Sequence, residues 1–383
     1  MGYLGDLFQL PPVKGEPVYQ RNRVQPGVPL KHCDISGEEI WFNAMNSVIL
    51  LDRNFRQQDA AFLNVCRAVR SGYVTRDHLD TLNERAISPS NMPPTNALYI
   101  YPYNKQVLAM NIIMVHHHAQ KNNLPVIRLL AQVSTSKTNP QFIQDESHAV
   151  FSGFTLGKPT RDNNKEGLVP MLDLHFGAPV ILIAVTNDLQ AKYHIGNNTT
   201  GTFVGCWPPS SNQHFTGPRN VSLVDDNTNG TVYYPAAGHE VTHLLIKIDT
   251  PAKKSFQMPN LPPNVYALPR KKTTAKGQDG RTHAMAQFPI RLFYSSTGDK
   301  VQGASLSRPV VLGAMNNGRT NFLYVVITRV LRLAQLYLAR KLTTQDMAYC
   351  GPSVSLRIEM ERLALKEVET IHRIRTCPRM AGL

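Results

Sequence analysis

The sequence predicts an α/β protein whose alternation of strands and helices is interrupted by a β-rich insertion. Three observations carry that expectation. ALYIY (97–101) is a buried-strand run followed at once by a helical segment over 103–119, the opening step of an α/β unit. APVILIAV (178–185) is short, apolar and β-branched, as a strand buried on both faces must be. After a β-rich stretch the alternation resumes with FPIRLFYSS, RPVVLG, FLYVVITRVL and AQLYLARKL between 288 and 342.

A chain of 383 residues with 42% hydrophobic residues can bury two or three cores. No apolar run reaches the roughly 18 residues of a membrane span. The opening MGYLGDLFQL has neither the basic start nor the long apolar stretch of a secretion signal. The 5 cysteines, Cys33, Cys66, Cys206, Cys350 and Cys377, are odd in number and widely spaced, with no CxxC. That pattern fits a reducing compartment and no zinc knuckle. The expected location is intracellular, in nucleus or mitochondrion for a eukaryotic chain and in cytoplasm otherwise. With 41 Lys+Arg against 27 Asp+Glu the net charge is +14, which points to a polyanionic partner, nucleic acid first.

Taken in order, residues 2–5 can only end a strand, and the loop GDLFQLPPV (5–13) follows. The Pro- and Gly-rich stretch 14–37 reads as a surface excursion. Over 38–51, Ile40, Trp41, Ala44, Met45 and Val48 suggest a short helix running into a strand. FRQQDAAFLNVCRAVRSG (55–72) is helical, with Phe62, Val65, Cys66 and Val69 on one face and Gly72 as its stop. A short helix is expected over 78–87 and a linker over 88–96. Residues 134–170 read as irregular. TGTFVGCW (200–207) and EVTHLLIKI (240–248) are strands of the insertion, which also carries a basic hairpin or loop at 269–281. TGDKVQGASL (297–306) should be a loop leading into a helix. The tail 353–376 is expected to be amphipathic, with Leu356, Met360, Leu363, Val368 and Ile371 on its apolar face. His116, His117 and His118 are consecutive on a helix, so they splay around its axis and are expected at the surface without a metal.

The chemistry is concentrated in a few segments. In GDLFQLPPV an Asp and a Gln flank two residues, and prolines stiffen the exit. A carboxylate and an amide at the carboxyl end of a parallel strand can touch a phosphate or its metal-bound water. Downstream, in order, come NFRQQD (54–59), STGDKVQG (296–303) and YVVITRV (324–330), together with LHFGAPVILIAVTND (174–188). This set resembles the PIF-type and RecD-like superfamily-one DNA helicases, including the Helitron helicases. In that family the four segments are motifs III, IV, V and VI, and the resemblance extends over essentially the whole chain.

The resemblance implies a RecA-like P-loop NTPase fold: a truncated first RecA-like domain, then a second one interrupted by a small β-barrel insertion. The implied division is 1–88 for the remnant of the first domain, 89–200 with 284–345 for the second, 201–283 for the insertion, and 346–383 for the helical tail. It implies that Asp6 and Gln9 sense the γ-phosphate, and that Arg56 and Arg329 reach across a cleft to it. A fixed planar cation suits charge developing on a transferred phosphoryl group. Gln302 and Gly303 would border the nucleotide, with Gln9, Arg56 and Arg329 as the catalytic set. Pro11, Thr297, Lys300 and Ser305 would face single-stranded DNA, and Arg270, Lys271 and Lys272 of the insertion would meet phosphates.

Three departures qualify the match. The family's P-loop, GxxxxGK[ST], and its Mg²⁺-holding acidic strand end precede motif III, and only four residues precede Gly5 here. The lookalike SGFTLGKPT (152–160) has the wrong glycine spacing and a proline after its lysine. Asp299 stands in motif V where the family has His or Asn, and an acid there would repel a DNA phosphate. A family Asn-Gly turn is Asn197-Asn198 here, which Asn tolerates. The expectation is therefore the carboxy-terminal portion of a 5′-to-3′ ATP-dependent DNA helicase, inactive alone. ATP and Mg²⁺ would serve the complete enzyme and neither would bind this chain tightly. The partners would be single-stranded DNA and a P-loop-bearing segment or subunit, with no membrane. Two alternatives remain: a non-hydrolysing nucleic-acid-binding module, and a half-enzyme completed in trans.

Overall fold

The computed structural model describes residues 5–11, 17–19, 40–51, 54–57, 59–135, 141–142, 168–169, 171–183, 193, 195–207, 223–225, 232–235, 241–249, 255–276, 282–315 and 319–376. The strand stub before Gly5, most of 14–37, the lookalike at 152–160, Cys33 and Cys377 lie outside the described residues. Among the described residues the helices are α1 (Ala60–Ser71), α2 (Arg76–Asn83), α3 (Asn104–Lys121), α4 (Gly298–Val301), α5 (Phe322–Ile327), α6 (Thr344–Met347) and α7 (Val354–Thr376). None is long and apolar enough to cross a membrane. The chain forms two compact units, Met1–Pro102 with Gly298–Leu383, and Tyr103–Thr297.

In the first unit, Leu98–Tyr101, Val310–Leu312 and Leu336–Leu338 pair in parallel, with Leu98 opposite Val310 and Val310 opposite Leu336. All six residues of α5 are buried in the same unit. Helix α1 starts at Asp59, whose carboxylate accepts from the N–H groups of Ala61 and Phe62, satisfying two donors that a helix start leaves open. Its expected face, Phe62, Val65, Cys66 and Val69, is buried, and it stops at Gly72 with φ +81°. Burial pushes the Cys66 thiol up to about 12, so it stays an inert core group.

Three expectations need correction here. Among the described residues of 38–51 there is no helix running into a strand: Ile40–Ala44 is a single π-helical turn, and 45–51 has no regular secondary structure. Side chains of α7 replace the missing ladder. Thr370 Oγ1 accepts from Val48 N at 3.0 Å, Glu367 Oε1 accepts from Leu50 N at 2.5 Å, and Lys366 donates to Met45 O at 2.7 Å. For that reason the buried residues of α7 are Leu356, Glu359, Leu363 and Thr370, while Val368 of the expected apolar face is 67% exposed. Glu359 is buried because its carboxylate accepts from Trp41 Nε1 and from Arg362. The segment TGDKVQGASL also runs in the opposite order: the helical turn α4 comes first and the loop follows, because Gly303 at φ +83° ends the turn.

The second unit is mostly antiparallel sheet around α3. One sheet has the order Val265–Pro269, His243–Ile248, Thr200–Trp207, Pro179–Leu182, Ile290–Leu292. Another runs Lys271–Lys276, Thr282–Gln287, Gln132–Thr135, Gln141–Phe142, so the basic segment is one strand of a paired hairpin and 134–170 is not wholly irregular. A third runs Met171–Leu174, Val126–Leu130, Val232–Pro235, Leu223–Asp225. FPIRLFYSS divides into Ile290–Leu292 and Ser295–Thr297. The buried Asn111 amide spans the break, donating to Leu292 O and accepting from Ser295 N. The histidines of α3 are not all surface groups. His116 Nε2 lies 3.0 Å from Asp173 Oδ2, and the His118 ring packs on Tyr294 with centroids 4.9 Å apart. Among the described residues no cluster could hold a metal ion.

Two predictions follow from this packing. A Cβ on Gly351, at φ +91°, would sit 2.7 Å from the Gly72 Cα. Gly351→Ala should therefore cost about 1 to 3 kcal/mol of stability in urea unfolding. In the second unit Asp173 is desolvated, which raises its pKa. The bidentate Arg128 contact at 2.7 and 2.8 Å and the His116 contact outweigh that and hold it below the ordinary value of 3.8. Its contribution should be present above the unfolded carboxylate's pKa and lost as pH falls through the lower folded one. Asp173→Asn should thus destabilise at pH 7, and the gap to wild type should close on acidification below about pH 4.

Candidate functional site

The motif III loop is pinned by its own carboxylate. Asp6 Oδ1 accepts from Phe8 N at 3.1 Å, and Asp6 O accepts from Gln9 N at 3.2 Å. That is a compact Asx-type turn, the local habit of Asp ahead of a bend. The same carboxylate then reaches outward. Oδ2 accepts from the Tyr324 hydroxyl at 2.8 Å, and Oδ1 lies 3.3 Å from Arg70 Nη2. Burial and the adjacent Asp6 charge push the Tyr324 phenol up, so it acts as a donor to Asp6 at any ordinary pH. The Arg70 guanidinium also lies over the Phe8 ring, 3.7 Å from its centroid.

Tyr324 lies on α5, and Arg329 sits in the turn after it. Arg329 is 3% exposed. Its guanidinium donates to Val325 O at 2.9 Å, Ala304 O at 3.3 Å and Thr328 Oγ1 at 2.9 Å. Burial and then the neighbouring Arg56 charge pull its pKa down to about 10, with Tyr324 and Asp6 opposing. It remains charged at neutral pH. Arg56 is half-buried and donates to Thr328 O at 2.8 Å. Gln57, also 3% exposed, donates from one amide nitrogen to Thr328 O at 3.1 Å and to Val330 O at 2.9 Å, the two carbonyls that bracket Arg329. Asn54 holds that amide by donating to Gln57 Oε1 at 2.8 Å.

Motif V enters the same network. Leu306 N donates to Arg329 O at 2.9 Å, and Ala304 supplies a carbonyl to the guanidinium. Gln302, Gly303 and Ser305 are exposed on the connecting loop, Lys300 is half-buried on α4, and Pro11 is exposed beyond the motif III turn. Asp299 does not stand as a bare acid: Arg319 grips both its oxygens, at 2.5 and 2.7 Å. Residues from 5–9, 54–57, 304–306 and 324–330 thus meet in one unit around one buried cation. The remaining sequence candidates belong to the other unit. Thr297 is buried at the end of its strand. Arg270 donates to Leu130 O at 2.9 Å and Gln287 Oε1 at 3.0 Å and stacks over Phe288, so its guanidinium braces the sheet. Lys271 is half-buried and Lys272 exposed on the same strand. Gln57, Tyr324 and Arg319 are members of this network that the sequence candidates did not include. The signal for the first two was adjacency, since Gln57 follows Arg56 and Tyr324 begins YVVITRV.

No protein-family model matches the chain, and no curated protein matches it. Solved structures do. The Pif1 helicase from Candida albicans superposes with a TM-score of 0.55 at 17% identity, covering 94% of this chain and 67% of that one. Pif1 from Bacteroides bound to ssDNA gives 0.53 at 19% identity, covering 94% of this chain and 65% of that one. The Bacteroides enzyme with ADP-AlF3 and ssDNA gives 0.53 at 18% identity and 95% coverage of this chain. The fold is that of a Pif1-type, RecA-like helicase. The chain spans 65% of the length of the ssDNA-bound Bacteroides Pif1.

Within this Pif1-type fold Gln57 is the residue whose loss should be felt most sharply. Gln57→Ala takes the described donor from Val330 O and leaves Thr328 O to Arg56, and should cost about 1 to 3 kcal/mol in urea unfolding. Gln57→Glu, which removes the donor while keeping the shape, should cost at least as much near neutral pH.

Proposed function

We propose that this chain is the carboxy-terminal portion of a PIF-type ATP-dependent DNA helicase, one that couples ATP hydrolysis to movement along single-stranded DNA, 5′ to 3′. The observation that carries the reading is the convergence of four separated segments on Arg329, with Asp6 and Arg56 beside it. A carboxylate, two arginines and a glutamine-bearing loop are the groups needed to register a γ-phosphate and its loss. ATP with Mg²⁺ supplies the phosphoryl group to be transferred. The donor set fits the sensing half of such a site, and the 383 residues contain no GxxxxGK[ST] to cradle the remaining phosphates. Asp6 would orient a water or metal-bound oxygen at the phosphate edge, Arg56 and Arg329 would bind the developing charge, and Lys300 and Ser305 would face the strand. In this reading residues 1–88 belong to a first RecA-like domain, 89–200 with 284–345 to the second, and 201–283 to the barrel-like insertion.

The sandwich of Asp299 by Arg319 supports strand contact at motif V, because the acid's charge is already compensated. The net charge of +14 favours a second reading, a nucleic-acid-binding module that never hydrolyses ATP. A DNA-stimulated ATPase assay and a single-strand titration examine both. The chain alone should release no phosphate from ATP above buffer. It should bind a 12-nucleotide dT strand with affinity falling steeply in salt, at a slope of roughly 0.7 per phosphate neutralised. Joined to a P-loop-bearing segment, it should gain ATPase activity that Arg329→Ala lowers by about a hundredfold or more. Hydrolysis by the isolated wild type, absent in Arg329→Ala, would overturn the claim that the phosphate cradle lies elsewhere. Failure of any P-loop segment to restore turnover, with strand binding intact, would favour the binding module.

A further inference from the structure

A cavity lies in the first unit, beside the Arg329 network and sharing Phe8 and Arg70 with its edge. It holds about 680 Å³ and is lined by Arg67, Arg70, Arg357, Tyr73, His78 and Phe8, among others, with no aspartate or glutamate among the lining residues. The arginines arrive there by helix geometry. Arg67 and Arg70 are three apart on α1 and so share a face, and Arg357 comes from the first turn of α7. The two helices are locked at this end by the Gly72–Gly351 backbone contact, which carries Tyr73 and Pro352 to the rim. His78 is fixed in place, with Nε2 2.9 Å from the Asn64 amide and Nδ1 2.9 Å from Thr75 Oγ1.

The charge here is unspent. Arg67 and Arg357 are exposed and form no ion pair among the described residues. Tyr73 is 73% exposed, a large aromatic face left in water. Three guanidinium groups around a concavity with an open aromatic ring on its rim match phosphate together with a base that can stack. The volume falls in the usual range for a small-ligand site and exceeds what a bare phosphate needs. Arg70 is the shared cation. Its contact with Asp6 is long, at 3.3 Å, and its side chain is 41% exposed. A phosphate in the cavity offers Arg70 a stronger partner at its free edge, and any turn of the guanidinium toward it loosens the Asp6 carboxylate.

We propose that this cavity binds a nucleotide phosphate, with Arg67 and Arg357 holding the anion, Tyr73 stacking the base, and Arg70 linking occupancy to Asp6. This rests on the single-strand reading above for the source of the nucleotide, and a free nucleotide offers the same chemistry. The test is fluorescence anisotropy of the full chain with two probes, a labelled 12-nucleotide dT strand and a labelled mononucleotide. The double variant R67A/R357A should weaken the strand tenfold or more and reduce its salt slope by about 1.4, two phosphate contacts at roughly 0.7 each. Its unfolding midpoint should match wild type, since both side chains are exposed. Tyr73→Ala should weaken binding severalfold and Tyr73→Phe should restore it, a rescue that a merely structural role would not show. Loss for the mononucleotide alone would keep the site and assign it to free nucleotide, while the wild-type strand titration decides the helicase reading separately. Unchanged affinity and salt slope in R67A/R357A for both probes, with wild type binding, would overturn the proposal. So would a wild type that binds neither probe.

Discussion

Most of the first unit is arranged around one desolvated cation. A guanidinium removed from water costs several kcal/mol unless its donors are met. Arg329 meets that condition with groups from three places: Val325 on its own helix, Thr328 beside it, and Ala304 on the motif V loop. Those acceptors are in turn held. Thr328 O takes bonds from Arg56 and Gln57, and Arg329 O takes one from Leu306. The loops therefore have little freedom to drift while Arg329 stays buried. Asp6 joins through Tyr324, so the motif III carboxylate and the buried cation belong to one network. A change at either end has a short route to the other.

Elsewhere the same logic appears with less charge. The stretch 45–51 has no strand partner, and α7 supplies Thr370, Glu367 and Lys366 to its backbone in place of a ladder. In the second unit the Asn111 amide fills the gap between two short strands, and Arg270 braces the sheet through carbonyls. Polar side chains satisfying backbone groups are this chain's recurring device where regular pairing stops.

Much of this was legible in the residues. Short apolar runs gave away Leu98–Tyr101, Pro179–Leu182 and Val310–Leu312, and the face of α1 followed from a 3.6-residue period ending at glycine. The four motif segments were readable because Gly, Pro, Asp and Arg sit at demanding positions. What could not be read was which polar side chain serves which distant backbone group. The apolar face assigned to α7 was wrong because Glu359 and Thr370 are buried by partners more than three hundred residues away in sequence. His116 and His118 looked like surface groups because Asp173 and Tyr294 come from other elements. Asp299 read as a bare acid because Arg319, twenty residues on, lies outside the motif. Periodicity reports burial by apolar residues and is silent on burial by pairing.

The motif III loop and the motif VI helix are joined at Asp6 and Tyr324 and should act energetically as one site. A double-mutant cycle in urea unfolding with Asp6→Asn, Tyr324→Phe and the pair measures that directly. The coupling energy between the two positions should be about 1 kcal/mol. Substitutions that add to within about 0.3 kcal/mol would contradict it.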